Sequence, residues 1–312
     1  MTQTNKQNLS ESLRPGDWVQ VRSFQEISAT LDAAGKLNGL PFMPEMVQFC
    51  GKTFQVAKRA EKTCFGHRQR RFANAVHLAD LRCDGSAHDG CQLRCLLFWR
   101  EEWLQRAPGP APEGIGTVCI SSNGSHSNLV TRQILPNRDV RYVCQATEIG
   151  KISTEVKPWN VSQYFREIRT GNLRAGEIKQ VFRWFLTWLE WRFFKATSTK
   201  QATPVFERQS VSIGDLVEVR PKKEIFQTLT NRGQNFGLSF STEMLMLCGN
   251  RYHVVNQVRQ IIDEETGKML YMKRSCLTLD SVTCKGGFQC CPRANYYFWR
   301  DEWLKKIEAP QA

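Results

Sequence analysis

No run of the sequence approaches the ~18 uninterrupted apolar residues of a membrane-spanning helix. The opening segment, Met1 to Ser12, is polar and carries no apolar stretch of the signal-peptide kind. The expectation is a protein of the reducing cytoplasm. Phosphate loops, dinucleotide fingerprints, Gly-x-Ser-x-Gly and His-Glu-x-x-His are all missing. That removes the best-marked nucleotide-binding, hydrolase and zinc-protease classes. Histidine is scarce, at 5, and acid is short: 30 Asp and Glu stand against 43 Lys and Arg, a net charge of +13. Such an excess favours an anionic partner: an acidic protein, a nucleic acid or an anionic membrane surface.

What the sequence has instead is repetition. Gly16-Asp17-Trp18-Val19-Gln20-Val21-Arg22 returns as Gly214-Asp215-Leu216-Val217-Glu218-Val219-Arg220, a shift of 198. The same shift pairs Glu26-Ile27 with Glu224-Ile225, Phe42 with Phe240, Glu45-Met46 with Glu243-Met244, and Cys50-Gly51 with Cys248-Gly249. Later the shift becomes 200, where Cys91 meets Cys291 and Phe98-Trp99-Arg100 meets Phe298-Trp299-Arg300. Glu102-Trp103-Leu104 and Glu302-Trp303-Leu304 follow at that shift. The sequence therefore reads as an internal duplication, with modules at 14–106 and 211–308 and an insert at 107–204.

Within each module apolar residues alternate with period two, as in half-buried strands: first at Trp18–Arg22, then from Cys50 to Lys58 and from Cys248 to Val258. Gln260–Ile262 and Met269–Met272 flank a Gly-containing turn and read as two further strands. A short helix is expected from Glu26-Ile27, and a closing helical turn that lays Trp99 and Trp103 on a barrel mouth. The Gly-Asp-x-Val-x-Val opening, long first loop and short strands resemble SH3-like barrels of the KOW and nitrile-hydratase β type. The fuller pattern at 39–46, Cys50-Gly51 and Leu81-Arg82-Cys83-Asp84-Gly85 resembles a bacterial family of duplicated cysteine-containing modules. The fold class this implies is mostly β with a helical insert (α+β), as two SH3-like barrel modules.

Twelve cysteines in a reducing compartment point to metal ligation or burial ahead of disulfides. One cluster runs Cys83-Asp-Gly-Ser-Ala-His88-Asp-Gly-Cys91-Gln-Leu-Arg-Cys95, with Cys64 and His77 upstream, and a second comprises Cys276, Cys284, Cys290 and Cys291. Four soft ligands on strands and a Gly-rich loop suit a tetrahedral zinc site; an iron–sulfur cluster uses the same thiolates. The expected ligand sets are Cys64, Cys83, Cys91, Cys95 and Cys276, Cys284, Cys290, Cys291, one ion in each module. His77 and His88 are substitutes in the first set, and simple burial is the competing explanation for any of these thiols. Cys50 and Cys248, each alone before a Gly, read as buried.

The insert opens with a Pro/Gly/Ala-rich linker at 108–114. It offers Cys119, His126, Cys144 and Glu148 as a further mixed set, with a strand at Val140–Cys144. A helix capped by Asn160 or Ser162 runs toward Thr170, and a second spans about 175–196. The apolar residues of that second helix cover more than one stripe, so it is expected to pack between the modules. Its tryptophans beside Arg and Lys also suit peripheral contact with a membrane surface.

Two functions follow. The first is a zinc-stapled binding or adaptor protein that recognises an anionic partner. The second is a metal- or thiolate-dependent enzyme working on a small molecule between the modules, with His77, His88, Cys144 and Glu148 as candidate catalytic residues.

Overall fold

Alternation becomes strand wherever the sequence carries it. A computed structural model describes residues 12–66, 68–110, 129–157, 160, 162–173, 184, 186–193, 209–287 and 290–307. They are mostly β, in several small sheets with a few helices, an α+β arrangement. Contacts divide the chain into two compact units. The first takes in the chain up to Ala175 together with Ile262–Met269 and Gln289–Arg293, and the second takes in the remainder.

The first unit is built on a five-stranded antiparallel sheet. Its order is Trp99–Arg100, Ala75–Leu78, Thr53–Arg59, Trp18–Val21, Leu104–Arg106. Val19 lies opposite both Phe54 and Arg106, and Val19 and Val21 point into the core while Gln20 points outward. The helix Phe24–Ser28 starts where Ser23 and Glu26 close a capping box, and it buries Ile27. No sheet among the described residues closes into a barrel. The five-stranded sheet ends at Trp99–Arg100 and Leu104–Arg106, each with one partner strand. Between those two ends the chain makes a 3-10 turn, Glu101–Trp103, that turns Trp103 inward. Both Trp99 and Trp103 are fully buried, not set at a rim. Phe42 meets them edge-on, with ring centroids 6.3 and 5.2 Å away.

The second unit has a four-stranded sheet ordered Leu277–Leu279, Arg251–Gln257, Leu216–Val219, Leu304–Lys306. Its details recur at the sequence shift of the modules. Phe240 meets Trp299 and Trp303 edge-on at 6.2 and 5.1 Å. Trp303 Nε1 donates to Thr228 Oγ1, as Trp103 Nε1 donates to Thr30 Oγ1. The strand irregularity between Val56 and Lys58 has its counterpart between Val254 and Asn256. Left-handed backbone falls at Asn38 and at Phe236, φ 50° and 43°.

The insert is shared out between the units. Strands Arg132–Ile134 and Val140–Tyr142 pair, and the chain then enters a helix, Gln145–Ile152, where the sequence suggested only a strand end. Ile149 of that helix is fully buried in the first unit's core. Gln145 locks it there, accepting from Phe98 N–H and donating to the Phe98 and Pro41 carbonyls. The expected helix toward Thr170 is Ser162–Arg169, with Asn160 Oδ1 accepting from Ser162 N–H. Of the second expected helix, residues 186–193 are helical; Trp191 packs on Phe226 and Phe240 in the second unit, while Leu186 and Phe193 are exposed. Among the described residues no helix is long and apolar enough to cross a membrane.

The buried Phe42–Trp pair sets a stability expectation. Phe42→Ala should cost about 3–5 kcal/mol, because it leaves a cavity against two indoles. Urea unfolding followed by tryptophan fluorescence measures this, and a cost below about 1 kcal/mol would show that the rings are not close-packed.

Candidate metal centre

The Cys83-to-Cys95 stretch folds back on itself at a glycine. Cys83 N–H donates to the Cys95 carbonyl and Leu97 N–H to the Leu81 carbonyl, so the two ends of the stretch run side by side. Between them Asp84 accepts from Ser86 N–H and hydroxyl, and Ser86–His88 form a 3-10 turn. Gly85 has φ +80°, and a Cβ there would lie 2.0 Å from the Cys91 carbonyl oxygen. Only glycine lets the loop close this tightly. The closure turns His88 inward, where it is 1% exposed.

Facing that histidine is Glu45, carried by the 3-10 segment Pro44–Phe49. Among the described residues, Glu45, Cys83 and His88 are the one group of three potential ligands whose donor atoms converge, all within 4.8 Å of one another. Cys83 Sγ stands 3.9 Å from His88 Nδ1, and Glu45 Oε1 stands 4.0 Å from that same nitrogen. Around a tetrahedral ion with bonds of ~2.0–2.3 Å, neighbouring ligand atoms stand roughly 3.3–3.7 Å apart. The observed spacings are close to that and longer than ordinary hydrogen bonds. The geometry also separates two chemistries that use the same residue types. A thiol–imidazole–carboxylate relay engages opposite ring nitrogens, one for the nucleophile and one for the carboxylate. Here both neighbours converge on Nδ1, as ligands converge on an ion.

Electrostatics point the same way. Neither oxygen of the buried Glu45 carboxylate has a hydrogen-bond partner. Burial, then the neighbouring Glu45 and Cys95, push the Cys83 thiol far up. Burial lowers the pKa of His88 against the opposing charges of Glu45 and Asp84, which favours the neutral imidazole that binds metal. Potential anions are crowded into one dry pocket, and a cation among them relieves all of these costs at once.

The pocket also exposes Cys91, Cys95 and Cys144. Cys91 Sγ accepts from Ile262 N–H at 3.3 Å. Cys144 caps the helix Gln145–Ile152, and its thiol is pushed up to about 11 by burial, against hydrogen bonds from Thr147 and Ala146. Any of these three thiols is a candidate fourth ligand. The free space in the pocket is about 30 Å³, room for one water or one ion and far below the ~300 Å³ of an organic ligand site.

The second unit solves the same problem differently. Glu243 stands at the shift of Glu45, and Cys284 takes the place of Cys83, its N–H donating to the Asn295 carbonyl. Glu243, however, is satisfied: it accepts from the Tyr297 hydroxyl, from Lys285 N–H at 3.3 Å and from the Cys284 thiol at 3.6 Å. Gly287 allows this approach, since a Cβ there would lie 2.3 Å from Glu243 Oε1. The residue in the place of Tyr297 is Leu97, which has no hydroxyl to offer.

The remaining sequence candidates fall as follows. Cys83, Cys91 and Cys95 share the pocket. Cys64 lies apart from them, hydrogen-bonded to Cys291, with Arg293 donating to its carbonyl. Cys290 lies near Lys62 and Tyr164 in the first unit. Cys276 is buried near Arg300 in the second. Cys290 and Cys291 both lie near Lys62 in the first unit, while Cys276 and Cys284 belong to the second, so the second set is divided between the units. His77 is a core residue: Nδ1 contacts the Leu97 carbonyl at 2.9 Å and the ring packs on Phe98. Glu148 is buried among Lys36, Arg141 and Lys151 at 2.9–3.3 Å. Burial raises its pKa, but the hydrogen bonds from Lys151 and Lys36 prevail and lower it, which is unsuited to a general base. Cys119 and His126 lie outside the described residues. Glu45 was missed in the sequence, although its recurrence as Glu243 marked it.

No family model, no curated protein and no solved structure matches the chain.

His77 makes the first unit sensitive to acid. Burial lowers its pKa from 6.5 to about 4, so below pH ~6.5 the unfolded chain takes up the proton first. Stability should fall from pH ~6.5 toward pH ~4 and level off below, by about 3 kcal/mol in total. Denaturation at pH 7 and pH 5 should show a smaller loss for His77→Phe than for the wild type; equal losses would contradict the buried neutral histidine.

Proposed function

We propose that the first unit is a metal-binding module. In it Glu45, Cys83 and His88, with one thiol of Cys91, Cys95 or Cys144, hold a single zinc-class ion. The observation that carries this is the contrast between two carboxylates. Glu45 is buried with no hydrogen bond to either oxygen, while the half-buried Glu243 at the corresponding position takes a tyrosine hydroxyl, a thiol and a backbone N–H on its Oε2. A mixed oxygen, sulfur and nitrogen set suits zinc. An iron–sulfur cluster calls for thiolates throughout and fits less well. The ion's role is to tie the loop 83–95 to the segment Pro44–Phe49. The small free space and the convergence on one ring nitrogen favour this stapling role over catalysis at the site.

On this reading the protein is a binding protein of the cytoplasm, two modules descended by duplication from one SH3-like ancestor, the second having exchanged its metal for Tyr297. The net charge of +13 supports an anionic partner. A groove of about 700 Å³ on the first unit is lined by Arg59, Arg71, Arg106, Arg166 and Arg169 but also by Glu61, Glu101 and Glu102, with Arg59 paired to Glu61 and Glu101, so only Arg166 and Arg169 add to the case. Burial and the like charge of Arg166 lower the pKa of Arg71 there, against the opposing charges of Glu167 and Glu61.

Elemental analysis of the full chain, purified under reducing conditions, should find about one zinc-class ion per molecule. Glu45→Gln, Cys83→Ser and His88→Ala should each lower that content and the melting temperature together, since metal binding contributes folding free energy. Tyr297→Phe should leave the metal in place and destabilise only the second unit, by about 0.5–1.5 kcal/mol, because it removes one of the three hydrogen bonds to the half-buried Glu243. Full metal content in all three site variants would refute the site.

A further inference from the structure

A second thiol site stands apart from the proposed metal centre, and its surroundings are those of a reactive thiolate, not of a metal ligand. Cys64 lies on the strand Lys62–Phe65 and Cys291 in the segment Gln289–Arg293, which belongs to the same compact unit. The two thiols are hydrogen-bonded to each other, and neither is in a disulfide. Beside them is Arg293, 3% exposed. Its guanidinium is held by both oxygens of Glu264, at 2.9 and 2.5 Å, and donates to the Cys64 carbonyl at 2.7 Å. Its other terminal nitrogen lies 4.0 Å from Cys95 Sγ. A fixed guanidinium at this place stabilises a thiolate. Consistently, these cysteines belong to no converging ligand group among the described residues.

From this we infer that Cys64 and Cys291 form a reversible dithiol–disulfide couple, oxidised by small disulfides of the glutathione class. Exposure sets the order of events, because Cys64 is partly exposed and Cys291 is buried. Cys64 attacks one sulfur of the small disulfide; its S–S bond breaks, one small thiol leaves, and a mixed disulfide forms on Cys64. Cys291 gives up its proton and attacks the Cys64 sulfur, expelling the second small thiol. The two protein thiols lose two electrons and two protons, and the small disulfide gains both. Charge supports this division of roles: the hydrogen bond from Cys291 and the charge of Arg293 hold the Cys64 thiol below its ordinary range against burial, while Cys291 is pushed up. The bond that forms ties the segment carrying Arg293 to the strand Lys62–Phe65. Oxidation thus becomes a covalent lock within the first unit, separate from the metal.

The test uses the full chain treated with oxidised glutathione and then alkylated, with peptide mapping by mass spectrometry and metal content read on the same sample. The expected result for the wild type is a loss of about two free thiols per chain, a linked peptide joining Cys64 to Cys291, and a raised melting temperature. Cys291→Ser should stop at a stable glutathione adduct on Cys64, and Cys64→Ser should form neither product. The wild-type mapping depends on no variant's folding. Oxidation confined to other cysteines, or an unmodified Cys64 in Cys291→Ser, would overturn the couple. A linked peptide formed in protein that carries no metal would support the couple while removing the proposed metal centre, so the two ideas fail separately.

Discussion

A carboxylate taken out of water must have its charge answered, and Glu45 is the point where the first unit meets that demand. It sits within a close-packed region bounded by Phe42, Met43 and Met46, where desolvation is nearly complete. An isolated buried carboxylate costs several kcal/mol or gives up its charge. No backbone N–H and no hydroxyl reaches either oxygen. The surrounding geometry provides a neutral imidazole and a thiol aimed at one shared point. The loop 83–95, its positive-φ Gly85 and its inward His88 all acquire a purpose if a cation occupies that point.

The second unit makes the argument comparative. Both units carry the same aromatic wedge, the same tryptophan-to-threonine hydrogen bond and the same strand irregularity, so their frames are alike where they are described. On these like frames sit a carboxylate that is satisfied by protein groups and one that is not. Tyr297 is the difference. Its hydroxyl donates to Glu243, and burial followed by the charges of Cys284 and Glu243 drives its pKa far up, so it stays a donor. In the second unit a phenol answers one oxygen of the half-buried Glu243, a role that the proposed ion would take for the buried Glu45.

Strand positions were legible in the sequence because period-two alternation is a local signal, and the turn at Asp263–Lys268 likewise, closing with Asp263 N–H on the Lys268 carbonyl. The tryptophans were read as residues and misplaced as surroundings: spacing of four suggested one helical face, but the chain runs strand, 3-10 turn, strand, and both indoles go inward. The helix Gln145–Ile152 was missed because its apolar face, Ala146, Ile149 and Ile152, is short, and Gln145 reaching across to Phe98 and Pro41 does much of the anchoring. At the site, Cys83, His88, Cys91 and Cys95 were found from clustering. Cys64 was grouped with them by sequence proximity, yet its partner Cys291 lies 227 positions away. Glu45 was passed over because soft ligands drew the search, although a carboxylate repeated between buried hydrophobics was itself a signal.

The central claim is that one ion sits between a carboxylate, an imidazole and thiolate sulfur. X-ray absorption at the metal edge of the full chain tests it most directly, because it reads the ligand atoms and not merely the presence of metal. The account predicts a four-coordinate first shell mixing sulfur at ~2.3 Å with nitrogen and oxygen at ~2.0–2.1 Å. A shell of sulfur alone, or one with no sulfur, would contradict it.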